Sequence, residues 1–200
     1  MISEFSPFMN FSSECLEYHP GFLQKQLADR YLQQLWDELE WMQKKIVIFG
    51  RRRLQPRLIA WYGDSSATYG YSGLSLTPLS WHPELLEIRR QLEEFTSAGF
   101  NSVLANAYRD GNDSMGWHRD DESELGPIPL IASVSLGEER RFLVRENGKR
   151  SSGITLGHGS LLIMKGSFQR RFSHSLPKTR RNIGLRINLT YRRVSDQAPD

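Results

Sequence analysis

Cysteine is nearly absent from this chain: Cys15 is the only one in 200 residues. A single thiol excludes an internal disulfide and a cysteine-based zinc site, and it suits a reducing compartment. Long apolar runs are missing too. Nothing approaches the roughly 20 residues of a membrane-spanning helix, so no membrane partner is expected. The opening "MISEFSPFMN" has neither the basic nor the apolar region of a secretory signal. No repeat, low-complexity tract or Gly/Ser linker interrupts the chain. Charge of either sign is barely in excess, with 26 Lys and Arg against 23 Asp and Glu for a net +3. That balance selects no partner, although the "RRR" of Arg51 to Arg53 keeps nucleic acid open. With 38% hydrophobic residues, one compact domain with a substantial core is expected.

What is present falls into two halves. Residues 1–17 read as irregular. In "GFLQKQLADRYLQQLWDELEW", Leu23, Leu27, Leu35, Leu39 and Met42 recur at helical spacing. "HPELLEIRRQLEEF" repeats the pattern with Leu85, Ile88, Leu92 and Phe95. Pro83 fits its first turn, and Ser97, Ala98 and Gly99 stop it. "KIVIFG" and "RLIAWYG" read as strands. After residue 100 the period changes to two, in "NSVLANAY", "IASVSLG", "RRFLVRE", "GSLLIMKG" and "NIGLRINLTYRR". Helices followed by many short strands without βαβ alternation indicate a β-rich sandwich or barrel buttressed by helices.

As a strand, "LRINLTYRR" has two distinct faces: Ile187, Leu189 and Tyr191 on one, Arg186, Asn188, Thr190 and Arg192 on the other. The polar face fits either a solvated sheet surface or a barrel lining that holds a carboxylate ligand in the planar fork of arginine. "LANAYRDG" likewise sets Asn106 and Tyr108 against Val103, Ala105 and Ala107, as in an edge strand with a polar side. In "GWHRDDESELG", His118 and Asp120 share one side of an extended segment while Arg119 faces away. A triplet of this kind arises often by chance, and metal binding needs a second, distant histidine. His174 in "RRFSHSLP" is the candidate, its alternative being a loop histidine satisfied by backbone groups. His158, between glycines, and His82, before a helix, are weaker candidates. Two imidazoles and one carboxylate are the donor set of non-haem Fe(II) oxygenases.

These residues taken together resemble a known family. "HRD" (118–120), His174 and "RINLTYR" (186–192) are similar to the signature of the AlkB-type Fe(II)/2-oxoglutarate-dependent nucleic-acid dioxygenases. "PRLIAWYGD", "YSGLSLTP", "NAYRDGNDSMGWHRDDE", "HGSLLIM" and "HSLP" match as well, most like the subgroup containing the second and third human AlkB homologues. The resemblance implies an α+β fold with a double-stranded β-helix (jelly-roll) core buttressed by N-terminal helices. It implies one domain over 18–193, with helices and a nucleotide-recognition region over 18–100, the catalytic core over 101–193 and a tail over 194–200.

Residue by residue, the resemblance implies that His118, Asp120 and His174 ligate Fe(II). Arg186 would pair with the far carboxylate of 2-oxoglutarate, supported by Asn106, Tyr108, Asn188 and Arg192. Tyr71 matches the aromatic that stacks on a flipped base, and Tyr69 and Glu122 match positions at the base edge. The alternative for Asp121 and Glu122 is a pair of solvated turn acids. Phe49 resembles a finger residue that fills the gap left in a duplex, although "FGRRRLQPR" is more basic than such a finger should be. Arg51, Arg52, Arg53, Arg57, Lys165, Arg170 and Arg171 are candidates for phosphate contacts.

The implied activity is oxidative demethylation of N1-methyladenine and N3-methylcytosine in alkylated DNA by a monomer. It consumes O2 and 2-oxoglutarate and releases formaldehyde, succinate and CO2. A dioxygenase acting on RNA or on a protein is the nearest rival, and a non-catalytic nucleic-acid binding module is a more distant one. The expected compartment is the cytoplasm for a bacterial host and the nucleus for a eukaryotic one.

Overall fold

The computed structural model describes residues 15–48, 51–67, 69–71 and 74–195. Two amphipathic helices form where the apolar spacing puts them: α1, Lys25–Glu38, and α2, Pro83–Thr96. Pro83 sits at the start of α2, where its missing N–H has no intrahelical partner to lose. Ser97 ends α2 in the left-handed conformation at φ 55°, its N–H bonded to Glu93 O. Met42 and Phe95, expected on apolar faces, are instead 46% and 49% exposed. Helical periodicity does not extend to Met42, because the helix ends at Glu38 and Met42 bridges Ile59. Phe95, in the last turn of α2, meets the rings of His19 and Phe22 edge-on.

The strands follow in chain order. They are β1 (Leu16–His19), β2 (Lys45–Ile48), β3 (Arg51–Leu54), β4 (Leu58–Gly63), β5 (Tyr69–Tyr71) and β6 (Leu74–Leu76) before α2. After it come β7 (Ser102–Tyr108), β8 (Met115–His118), β9 (Ile131–Gly137), β10 (Arg140–Glu146), β11 (Ser152–Leu156) and β12 (Ser160–Met164). A short helix, α3 (Phe168–Arg171), then leads into β13 (Phe172–Leu176), and β14 (Arg186–Arg192) closes the series. A six-stranded sheet runs β1-β12-β9-β14-β7-β4, and a four-stranded sheet runs β11-β10-β13-β8. β2 with β3, and β5 with β6, form separate two-stranded ribbons.

Period-two alternation builds two cores on opposite faces of the large sheet. Val103, Ala105 and Ala107 of β7, Ala132, Val134 and Leu136 of β9, and Ile187, Leu189 and Tyr191 of β14 pack against α1 and α2. Tyr191 also donates its hydroxyl to Leu85 O of α2 at 2.9 Å. The inner face meets the small sheet, where Ile131, Leu162 and Met164 join Phe142, Val144, Ile154 and Leu156. The cavity between the sheets is lined mostly by polar side chains, with Leu104, Met115 and Leu176 among them.

Three expectations need correction. β7 is no edge strand, because β4 and β14 flank it. The stretch expected to be irregular already contains β1 from Leu16, paired with β12, so the large sheet draws on residues well before 101. The expected tail is still anchored at Val194, which is buried and whose N–H donates to Asn101 Oδ1.

Candidate active site

β8 and β13 pair directly at His118 and His174, so the small sheet places the two imidazoles side by side with centroids 4.2 Å apart. His174 therefore lies within a strand, not in a loop. It is a strand residue because β8 and β10 pair with β13 on either side, and both are too far away in sequence to show in the local pattern. Asp120, two residues past His118, enters the same space. Its Oδ1 is 3.9 Å from His118 Nε2 and its Oδ2 is 3.7 Å from His174 Nε2. One ligand atom from each of the three lies within 4.8 Å of the others.

The protonation states fit a dication. His118 Nδ1 lies 2.9 Å from Gly116 O, which favours the tautomer carrying its proton there and leaves Nε2 free to ligate. Burial, then the neighbouring His118, lowers the His174 pKa to about 3, so its ring is neutral near pH 7. Burial alone would raise the Asp120 carboxyl, but Arg192, His174 and His118 outweigh it and hold the group below its ordinary value. Arg192 donates to Asp120 Oδ1 at 2.7 Å. The backbone N–H of Asp120 donates to Gln169 Oε1 at 3.0 Å.

The same cavity is lined by the polar face of β14 and by Asn106 and Tyr108 of β7. Of the two readings left open for that face, the barrel lining is the one the structure adopts. Arg186 is 2% exposed and donates to Ser135 Oγ at 3.0 Å, with its guanidinium 5.3 Å from the Tyr108 ring centre. Burial, ahead of all other causes, brings its pKa down from 12.5 to about 10, so it remains a cation. Among the described residues no carboxylate pairs with it, and its Nε has no hydrogen-bond partner. A buried, uncompensated guanidinium is costly and calls for an anion. Asn188 donates to Ser133 Oγ and receives the Thr190 hydroxyl on Oδ1. Gly137 makes the approach of β14 possible: it sits opposite Arg186 at φ +85°, and a Cβ there would lie 2.3 Å from Leu185 O. Three donor atoms for iron and an anion-seeking arginine in one cavity fit Fe(II) with 2-oxoglutarate.

Other expected site residues are placed differently. Arg57 is 7% exposed and donates from Nε to Asn106 Oδ1 at 2.8 Å. It braces Asn106 in the cavity wall and, being buried, is not open to a phosphate at the surface. Lys165 pairs with Glu17, and Arg171 with Glu146. Arg52 and Arg53 are exposed on β3. Glu122 is half-buried, and its Oε2, shielded from solvent, has no hydrogen-bond partner among the described residues. Tyr69 and Tyr71 belong to β5, of which only the backbone is described, and Phe49 lies outside the described residues. His158 accepts from Gly137 N–H and contacts Asp29, a structural role. His82 lies between Glu38 and Glu84.

Gln169 escaped the sequence reading. It sits inside "SFQRRF", where the basic neighbours draw attention, and no local pattern marks its amide as buried. Ser133 and Ser135 had a signal: they alternate with Ala132, Val134 and Leu136 in "IASVSLG".

A family model described as "2OG-Fe(II) oxygenase superfamily" matches residues 15–192. The alpha-ketoglutarate-dependent dioxygenase alkB homolog 3 of Homo sapiens is 41% identical over 194 residues, 92% of this chain and 66% of that protein. Its Bos taurus counterpart is 41% identical over 186 residues, 88% of this chain and 64% of that protein. The chain thus spans about two thirds of the length of these relatives. The DNA oxidative demethylase ALKBH2 of Mus musculus is 41% identical over 179 residues, 84% of this chain and 75% of that protein. Among solved structures, OsALKBH1 superposes with a TM-score of 0.60 at 19% identity, covering 89% of this chain and 97% of that one. A prolyl hydroxylase of Trichoplax adhaerens, in complex with a peptide fragment, gives 0.65 at 14% identity, covering 92% and 85%. At such identities these two establish the shared jelly-roll fold alone.

Proposed function

Because this chain belongs to the 2OG-Fe(II) oxygenase superfamily, and to its AlkB-like branch, we propose that it is a DNA repair dioxygenase. Its substrates would be alkylated bases, N1-methyladenine and N3-methylcytosine, demethylated in DNA by a monomer. The observation that carries the reading is one cavity holding both the His118, Asp120 and His174 cluster and the unpaired Arg186. When bound, Fe(II) with 2-oxoglutarate and O2 supplies the oxidising power that hydroxylates an N-methyl group.

The chain's own residues hold and orient. His118, Asp120 and His174 ligate the metal, and Arg192 and Gln169 fix the carboxylate between them. Arg186 takes the far carboxylate of the cosubstrate, with Asn106, Tyr108 and Asn188 around it. Such positioning is the protein's main contribution to a reaction of this kind. A methyl group on the pairing edge is unreachable inside a stacked duplex, so the base must leave the stack. Glu122, with its unpartnered oxygen, suits the positive edge of a methylated base, and Tyr71 and Tyr69 are its proposed companions. Phe49 is the proposed duplex finger. The names of the relatives support DNA as the substrate, and RNA is the second reading.

The test supplies Fe(II), 2-oxoglutarate and ascorbate with an oligonucleotide carrying N1-methyladenine, and follows formaldehyde and the mass of the base. Turnover that His118→Ala abolishes is expected. Absence of turnover, or turnover indifferent to that change, refutes the proposal.

A further inference from the structure

A second depression opens beside the iron site, and the roles assigned so far leave it unused. It lies along β8, the edge of the small sheet, and its lining includes His118, which also lines the inner cavity. Successive residues of a strand point to opposite faces, so Trp117 projects outward where His118 projects in. Trp117 is 40% exposed, and the Arg145 guanidinium lies over its ring, 4.3 Å from the centroid. Register explains the meeting: β13 lies between the two strands, and Arg145 of β10 is paired with Ser173, which also lines the groove.

Three cations and one carboxylate line the groove, Arg119, Arg145 and Lys149 against Asp121, and of the cations Lys149 is already paired with Glu146. Arg145 forms no ion pair among the described residues, and Arg119 bonds only to the neutral Asn147. An exposed tryptophan under a guanidinium that no carboxylate neutralises among the described residues leaves an aromatic face and positive charge open to a ligand. It is the composition that single-stranded nucleic acid uses: an aromatic platform for a base and cations for the backbone.

We propose that this groove holds the nucleotide flanking the one whose base enters the cavity, with its base stacked on the Trp117–Arg145 pair and its phosphate near Arg119. Continuity through His118 supports this, because that residue lines both the groove and the cavity and so joins the two at the edge of β8. The inference rests on the nucleic-acid reading above. It adds a contact made to the substrate strand itself, apart from the flipped base.

The test measures fluorescence anisotropy of labelled single-stranded oligonucleotides containing N1-methyladenine. Lengths of one, three and nine nucleotides are compared, with the full chain loaded with Mn(II) and 2-oxoglutarate. Wild type should gain affinity with length. Trp117→Ala should lose roughly tenfold of the affinity for the nine-nucleotide ligand, within the range of one stacked base, and Trp117→Phe should recover most of it. Arg119→Gln should lower the slope of log affinity against log salt by about 0.7, the contribution of one phosphate. Unfolding midpoints confirm that each variant is folded. Wild-type affinity in folded Trp117→Ala and wild-type salt slope in folded Arg119→Gln, with wild type still binding and demethylating oligonucleotides, overturn the groove alone. A wild type that neither binds nor demethylates any oligonucleotide overturns the nucleic-acid reading and the groove with it.

Discussion

Gln169 accepts the backbone N–H of Asp120 through its side-chain oxygen at 3.0 Å, and both residues are buried. The bond ties α3 to the carboxylate of the metal cluster, and its donor has no water to turn to if the acceptor is lost. Gln169→Leu should therefore cost about 1–3 kcal/mol of stability, the penalty of an unsatisfied buried donor. It should also weaken Mn(II) affinity by about tenfold or more, as the loss of groups that orient metal ligands does. Calorimetric titration of the metal checks this, and an unchanged affinity would show that Gln169 only packs.

Arg186 carries its charge into the interior without a carboxylate partner among the described residues. Its pKa falls from 12.5 to about 10, which corresponds to on the order of 3 kcal/mol against the charged form. The sign is clear: below about pH 10 the folded protein carries this cost in full. Arg186→Met should make the cosubstrate-free protein at least as stable as wild type at pH 7. It should also raise KM for 2-oxoglutarate by about a hundredfold. Adding 2-oxoglutarate with Mn(II) should raise the wild-type Tm further than Mn(II) alone and add nothing in the variant.

Metal binding should be visible without any turnover. A ligand held only by the folded state stabilises it by about 2.7 kcal/mol at a hundredfold excess over Kd. Mn(II) should raise the Tm of the wild type, a chelator should reverse the gain, and His174→Ala should abolish the response. A wild-type Tm indifferent to metal would remove His118, Asp120 and His174 from the role given to them.

A second ion pair positions β8 from below. Arg109 donates from Nε and Nη2 to the two oxygens of Asp113 at 2.7 and 2.9 Å, and its backbone N–H adds a third bond at 3.0 Å. Arg140 reaches the carbonyls of Asp113 and Pro177, which joins this turn to the end of β13. Burial alone would raise the Asp113 carboxyl, but the bonds from Arg109 outweigh it and its pKa is lowered. A lowered folded value means that the stabilisation is complete above the unfolded value of 3.8 and is lost as pH falls through the folded one. Asp113→Ala should cost about 1–2 kcal/mol near pH 7, because the exposed side of Arg109 stays solvated when its partner is lost. The deficit against wild type should shrink in acid, as urea titrations at pH 7 and pH 3 would show.

Much of the site was legible because it is written with short periods. The two faces of β14 are an alternation over seven residues, and the "HRD" triplet is local. The helical faces of α1 and α2 come from spacing alone. Misjudgements began where an answer depended on a remote partner. Phe172–Leu176 is too short to announce itself as a strand until β8 and β10 flank it. Arg57 looks like its basic neighbours until Asn106, 49 residues away, accepts its Nε–H.

Composition and pattern, then, settled the chemistry on offer: which donors exist, which of them share a face, and which two stretches become helices. Those follow from backbone geometry within one element. The fold alone decided convergence. It set His174 opposite His118, brought Arg192 and Gln169 to Asp120 from 72 and 49 residues away, and left Arg186 buried with no counter-charge among the described residues. Strand pairing is non-local, so the meeting of such groups is a property of the sheets and of no single stretch of chain.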